Sequence, residues 1–105
     1  MDIDLSQRVR NGITWLDAYG PKNWRRKIAA AIKARRFDIA SAKHCALGEI
    51  YGDYSDAIDN LDIDNPLQLG FDKDCSRAES YADVTAEWKR RYREGQRQAA
   101  KAKRG

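Results

Sequence analysis

The sequence contains few of the residues that mark extracellular, membrane or metal-binding proteins. Its 105 residues include two cysteines and one histidine. The longest unbroken apolar run, residues 28–32, is far shorter than the roughly 20 residues that a membrane-spanning helix needs. The acidic residues 1–5 lack the apolar stretch of a secretory signal. We therefore predict a cytoplasmic protein without a membrane segment. Cys45 and Cys75 are expected to be free thiols, since a disulfide between them requires an oxidising compartment.

Motifs for catalysis, cofactor binding and metal binding are also missing. Two cysteines and one histidine cannot supply the four Cys or His ligands of a structural zinc site. The aspartates between residues 59 and 74 do not match a calcium loop, which needs glycine at its sixth position. No phosphate-binding glycine loop occurs. His44 and Cys45 are neighbours, so on a helix their side chains point about 100° apart. The sequence thus predicts a buried Cys45, a surface His44, and neither an enzyme nor a cofactor nor a metal.

What the sequence does contain is a series of helical patterns. Apolar residues recur every three to four positions, and Asp4 and the Gly20-Pro21 pair are typical of helix ends. We predict a mainly α fold, a compact bundle of four to five short helices with a longer C-terminal helix. The predicted helices cover residues 5–19, 24–35, 42–51 capped by Ser41, 53–61 or 55–61, and 78 to at least 93, with a single turn at 67–69.

The apolar stripes define an expected core within one domain. Residues 1–94 form this domain, while Gly95 is expected to end the last helix and leave 95–105 as a frayed basic tail. Most aromatic residues are expected in the core, although one or two of them could line an exposed patch that docks a partner helix. The predicted core comprises Leu5, Val9, Ile13, Leu16, Trp24, Ile28, Leu47, Ile50, Ile58, Leu61, Phe71, Val84 and Trp88.

Charge is strongly segregated along the chain. Residues 22–36 carry seven basic residues and no acid, residues 37–87 carry three basic residues and twelve acids, and residues 89–105 carry eight basic residues and one acid. The basic segments could contact nucleic acid or an acidic protein surface. They could instead form a solvated end, with their charges balanced by acidic residues within the fold. The candidate binding residues are Arg25, Arg26, Lys27, Lys33, Arg35, Arg36, Lys89, Arg90, Arg91, Arg93, Arg97, Lys101, Lys103 and Arg104.

A further pattern of aromatic residues and glycines resembles a group of small uncharacterised proteins encoded by actinobacteria and their bacteriophages. The resemblance covers residues 13–88 and implies a phage or actinobacterial origin in the cytoplasm, but it implies no activity. With it, we expect a non-enzymatic adaptor or inhibitor that contacts a host protein. The alternative is a nucleic-acid-binding accessory protein that uses residues 22–36 and the basic C-terminal segment. The residues that carry the resemblance are Trp15-Leu16-Asp17, Pro21, Trp24, Cys45-Ala46-Leu47-Gly48, Tyr51-Gly52-Asp53-Tyr54, Leu69-Gly70-Phe71-Asp72, Tyr81 and Trp88.

Overall fold

The computed structural model describes residues 4–74 and 79–104, with side chains described as far as Arg93. Within these ranges the chain forms α-helices and one 3₁₀ turn but no strand, so the mainly α prediction is confirmed. Helix α1 packs against the 3₁₀ turn and α5, α2 packs against α3, and α3 packs against α4. The elements are α1 (Leu5–Tyr19), α2 (Trp24–Lys33), α3 (Ala46–Tyr51), α4 (Tyr54–Leu61), the 3₁₀ turn (Pro66–Leu69) and α5 (Tyr81–Arg104).

One hydrophobic cluster joins all of these elements. Most of the predicted core is buried in it, namely Val9, Leu16, Trp24, Ile28, Leu47, Ile50, Phe71, Val84 and Trp88. Leu5, Ile13 and Ile58 are partly buried and pack against its edge. Phe37, Ile39 and Ile63 are also buried, although the sequence analysis placed none of them in the core.

Helix α1 has the predicted boundaries and the predicted N-cap. The Asp4 carboxylate accepts a hydrogen bond from the backbone N–H of Gln7 at 2.8 Å. Gly20 ends the helix as predicted, but with a φ of −79° and so outside the left-handed region that glycine often adopts at a helix end. Glycine fits at this position because there is no room for a side chain, since an added Cβ would lie 2.6 Å from the carbonyl oxygen of Leu16.

Helix α2 ends at Lys33, two residues before the predicted end. Arg35 has a φ of 60°, and its backbone N–H donates to the carbonyl of Ile32 while that of Arg36 donates to Ala31, both at 3.1 Å. This is the Schellman pattern, which ends a helix by satisfying its last carbonyl groups. The pattern usually uses glycine, so an arginine in that position gave no sequence signal.

Helix α3 begins four residues later than predicted. Its N-cap is Cys45, whose Sγ accepts from the N–H of Gly48 at 3.3 Å, whereas Ser41 caps only the preceding turn by accepting from the N–H of His44. Gly48 packs closely against this turn, since a Cβ added to it would lie 2.4 Å from the carbonyl oxygen of Ala42.

Helix α4 begins at Tyr54 with Asp53, one of the two predicted starts, as its N-cap, but it does not bury the predicted residue at its end. The Asp53 carboxylate accepts from the N–H of Ser55 at 2.9 Å. The prediction of Leu61 in the core is wrong, as this side chain is 36% exposed. Asp62 turns the chain in the left-handed conformation, with a φ of 53°, and Ile63 is buried in place of Leu61.

The segment after the 3₁₀ turn is held to α5 by Trp88. Gly70 closes the turn with a φ of 70°, in the left-handed region that glycine favours. Its carbonyl oxygen accepts from Trp88 Nε1 at 2.7 Å. Phe71 then stacks on Trp88 with ring centroids 5.9 Å apart. This contact places the middle of α5 over the core.

Helix α5 begins later than predicted and continues past Gly95. Ser80 and Asp83 form a reciprocal cap, in which the N–H of each donates to the side chain of the other at 3.1 Å. The predicted start at Ala78 lies outside the described residues. The helix end expected at Gly95 is wrong, since the backbone is helical to Arg104. One glycine costs a helix only about 1 kcal/mol, and its neighbours are good helix formers. The division into a domain and a tail stays a prediction.

Candidate functional site

A solvent-open groove lies where α2 and α5 flank α1, and we call it the α1/α2/α5 groove. The space between its walls, open solvent included, is about 310 Å³. Most of its lining is apolar or aromatic, with two arginines among the lining residues. These arginines come from the two basic segments of the sequence, so the fold brings both segments to one groove. The lining residues are Ile13, Trp24, Arg25, Ile28, Trp88, Arg91 and Tyr92.

Asp17, near the C-terminal end of α1, binds two side chains on the α2 side of the groove. Its two carboxylate oxygens accept from Trp24 Nε1 at 3.2 Å and from Arg25 Nη2 at 2.9 Å. The Arg25 guanidinium also lies over the Trp24 ring, 4.6 Å from its centroid. Arg25 and Asp17 are both more than half exposed, so their ion pair is weak and can be exchanged for another anion at little cost.

Glu87 fixes the arginines on the α5 side. Its carboxylate accepts from Arg90 Nη2 at 2.7 Å and from Arg91 Nε at 3.0 Å, and Arg91 also donates to Ser6 Oγ in α1. Burial disfavours the charged form of Glu87, but the bonds and charges of the two arginines outweigh it and hold the pKa of this carboxyl below its usual range. Glu87 and Ser6 therefore hold Arg91 in position on the α5 side of the groove.

Several candidate binding residues are thus engaged within the fold. Lys27 Nζ donates to the carbonyl of Ile50 at 2.9 Å, and Arg36 forms a forked pair with Glu49. Arg25, Arg90 and Arg91 are likewise bound by acids of the fold. These contacts agree with the alternative that the charges of the basic segments are balanced within the fold.

The remaining described basic candidates have no carboxylate partner among the described residues. Arg26, Lys33, Arg35 and Arg93 are exposed and Lys89 is half-buried. Lys89 and Arg93 are four residues apart on α5, so they share one side of that helix. Arg97, Lys101, Lys103 and Arg104 lie in the part of α5 whose side chains are not described. Among the residues with described side chains, the basic candidates without a carboxylate partner therefore lie on α2, just after it at Arg35, and at Lys89 and Arg93 on α5.

The prediction of a buried Cys45 and a surface His44 is confirmed, and the two side chains do not form a nucleophile–base pair. Cys45 is 1% exposed, and burial raises the pKa of its thiol. The His44 side chain is about half exposed and points to Glu49, with Nδ1 2.8 Å from Oε2. In residues 4–74 and 79–93 no group of three His, Cys, Asp or Glu side chains could hold a metal ion. Cys75 lies outside the described residues.

The sequence analysis missed the groove because it assigned its floor to the core. Ile13 was placed in the core, but it remains half-buried at the groove. The partner acids were also missed. Glu87 could have been found from its spacing to Arg90 and Arg91, since residues three and four apart are neighbours on a helix. Asp17 carried no such signal, because the turn between α1 and α2 separates it from Arg25.

Comparison with known proteins found no match for this chain among protein-family models, curated proteins or solved structures. Among the helices of the described ranges, none is long and apolar enough to cross a membrane. The similarity to actinobacterial and phage proteins remains a prediction from the sequence.

Proposed function

We propose that this chain is a non-enzymatic binding protein that docks an acidic, amphipathic segment of a partner protein in the α1/α2/α5 groove. In line with the sequence resemblance, the partner is a host protein in the bacterial cytoplasm, and the chain acts on it as an adaptor or inhibitor. The supporting observation is the apolar groove flanked by both basic segments of the chain.

The chemistry of the groove favours such a segment over a purely apolar one. Trp24, Ile28 and Trp88 supply apolar and aromatic contacts, which commonly anchor protein interfaces. Arg25 and Arg91 supply positive charge in the groove lining, which speeds association with an anionic partner and disfavours a cationic one. An amphipathic helix with leucines on one side and glutamates beside them matches both features.

A labelled peptide of this design tests the proposal. By fluorescence anisotropy, the leucine–glutamate peptide should bind, and a matched peptide with lysine in place of glutamate should not. Arg25→Glu should weaken binding by roughly tenfold, as should Tyr92→Ala. Lys43→Glu is the control, because it makes the same charge change at an exposed position in the turn before α3. Equal binding of both peptides, or equal losses from Arg25→Glu and Lys43→Glu, would contradict the proposal.

The same variants identify the natural partner in a cell lysate. Wild type and Lys43→Glu should capture the same protein after nuclease treatment, and Arg25→Glu should lose it. Capture that disappears with nuclease would instead point to a nucleic acid tether.

A nucleic-acid-binding accessory protein is the second candidate, favoured by the continuous helix α5. Because the backbone is helical to Arg104, positions 89, 93, 97 and 101 recur every four residues along one side of it. The span of 12 residues is about 18 Å, enough to follow several phosphates. The acidic residues 37–87 oppose this function, since they repel a phosphate backbone.

Salt dependence distinguishes this candidate from protein binding. On a labelled DNA duplex, the slope of log affinity against log salt should fall by about two for Lys89→Gln/Arg93→Gln, since each phosphate contact contributes about 0.9 to the slope. Arg10→Gln/Lys43→Gln removes the same charge from exposed positions outside the candidate set and should leave the slope unchanged. Absence of binding at low ionic strength would eliminate this candidate.

A further inference from the structure

A second cavity lies on another part of the molecule, and we call it the Tyr54/Tyr81 pocket. It forms where the turn at residues 39–42 meets the N-terminal ends of α4 and α5 and the segment after Gly70. It is open to solvent, and the space between its walls, open solvent included, is about 360 Å³. None of its lining residues belongs to the α1/α2/α5 groove. The lining residues are Ile39, Ala40, Ser41, Ala42, Tyr54, Phe71, Asp72 and Tyr81.

The lining combines three aromatic side chains with one carboxylate. Phe71 is 2% exposed, whereas Tyr54 and Asp72 are half-buried and Tyr81 is 36% exposed. Asp72 is the only charged residue among the described lining residues. Aromatic faces attract cations, and aromatic rings beside a carboxylate are the combination that recognises ammonium groups in proteins.

A cation already lies against this lining. Lys73 Nζ lies 4.9 Å from the centroid of the Tyr81 ring, so Tyr81 makes a cation–π contact within the chain. Burial together with the negative charge of Asp72 raises the pKa of the Tyr54 phenol to about 12. Asp72 thus gives the lining a negative charge, which opposes binding of an anion and favours a cation in competition with Lys73.

We infer that the Tyr54/Tyr81 pocket binds an organic ammonium ion, held by the tyrosine rings and by the carboxylate of Asp72. The ammonium group can belong to a free small amine or to a methylated lysine side chain of a peptide. Both sources present the same alkylammonium headgroup. The inference does not depend on the proposed function, because the groove and the pocket share no residue.

An NMR titration with choline tests this inference. At constant ionic strength, choline should cause saturable shifts of the backbone amides of Tyr54, Asp72 and Tyr81 in the millimolar range, as expected for cation–π contacts beside one carboxylate. Dimethylbutanol, the uncharged isostere of choline, should cause none. A trimethyl-lysine peptide that binds more tightly than choline indicates the side-chain source, and equal or weaker binding indicates a free amine.

Matched variants assign the binding to the pocket. Asp72→Asn should weaken choline binding by roughly fivefold or more, while its amide oxygen can still accept from the N–H of Lys73, as Asp72 Oδ1 does at 2.8 Å. Tyr81→Leu should weaken it similarly. Lys73→Gln should strengthen it, because this change removes both a like charge and a competitor for the Tyr81 ring. Asp64→Asn and Tyr19→Leu are the controls, since both residues are exposed and lie outside the pocket.

The inference is overturned by any of three results: equal shifts with choline and dimethylbutanol, wild-type affinity in Asp72→Asn, or an equal loss in Asp64→Asn. The last result would mean that choline responds only to the general negative charge of residues 37–87. The amide spectrum of each variant shows that it is folded before its affinity is compared.

Discussion

Arg8 shows how one residue can connect three elements of this fold. It is 1% exposed, its Nε donates to the carbonyl of Leu67 at 3.2 Å, and its Nη2 donates to Glu79 just before α5. The Glu79 side chain is 9% exposed and also accepts from the N–H of Asp74. A buried cation is costly unless it is paired, so Glu79 is what makes the burial of Arg8 tolerable.

Removal of the Glu79 charge should therefore be strongly destabilising. We expect Glu79→Gln to lower the free energy of unfolding by about 3 kcal/mol, because it leaves Arg8 buried without an anion. Urea denaturation measures the loss. Arg8→Met should remove much of this cost, so the double variant should lose less than the sum of the two single variants. Additive losses would show that the two charges are not coupled.

Glu49 is the second carboxylate on which the fold depends. Its oxygens lie 3.0 and 3.1 Å from Arg36 nitrogens and 2.8 Å from His44 Nδ1. Burial disfavours its charged form, but the contacts with Arg36 and His44 outweigh that and hold the pKa of Glu49 below its usual value. The folded protein therefore binds the Glu49 proton less readily than the unfolded chain does.

This shift makes part of the stability dependent on pH. A lowered folded pKa contributes stability above the unfolded value of about 4.3, and this stability is lost as pH falls through the folded value. We expect Glu49→Gln to be less stable than wild type by about 1 kcal/mol near neutral pH, with the two stabilities converging below about pH 4. Urea denaturation across this range measures the difference. A gap that stays constant into acid would contradict the assignment.

At the scale of the elements, two helical glycines illustrate opposite constraints. Gly12 in α1 lies against the 3₁₀ turn, where an added Cβ would be 2.0 Å from the carbonyl oxygen of Leu69. Gly95 lies in α5, where the sequence alone predicted a helix end but the backbone continues as a helix. The first glycine permits close packing of two elements, and the second only lowers helix propensity.

Alanine substitutions should thus have opposite signs at these two positions. Gly95→Ala should stabilise α5 by up to about 1 kcal/mol and increase the helical circular dichroism signal. Gly12→Ala should destabilise the protein by about 2 kcal/mol, because the 3₁₀ turn must move away from α1. Thermal denaturation followed by circular dichroism measures both. A loss of helicity in Gly95→Ala would show that α5 is not continuous through this position.

At the scale of the whole molecule, one core connects distant parts of the chain. Leu16 in α1 is fully buried, and Trp88 in α5 is 2% exposed. Trp88 also stacks on Phe71 and donates to Gly70, so α5 is joined to the 3₁₀ turn region by packing and by a hydrogen bond. Loss of either residue should affect the whole fold rather than one helix.

Truncation of these residues tests the single core. Leu16→Ala and Trp88→Ala should each lower the free energy of unfolding by about 3 kcal/mol, and each should shift one cooperative thermal transition to lower temperature. Tyr19→Ala is the control, since this side chain is 72% exposed. Wild-type melting of both core variants, or separate transitions for different helices, would contradict a single core.

The same scale explains why the candidate site could be predicted only in part. The pairs of Glu87 with Arg90 and Arg91 follow from helix spacing, and the charge segregation is visible in the sequence. The groove does not follow from either. It exists because Trp24 and Tyr92, far apart in the chain, come to flank the same stretch of α1.

The sequence by itself determined the helical class, the Asp4 cap, and the apolar stripes of α1, α2 and α5. These features are local, because caps and helical periodicity depend on residues within a few positions of one another. Only the tertiary structure decided the burial of Phe37, Ile39 and Ile63, the pairing of Arg25 and Arg36 with acids, and the meeting of both basic segments at one groove. Burial and ion pairing depend on which surfaces meet, and residues distant in the chain supply those surfaces.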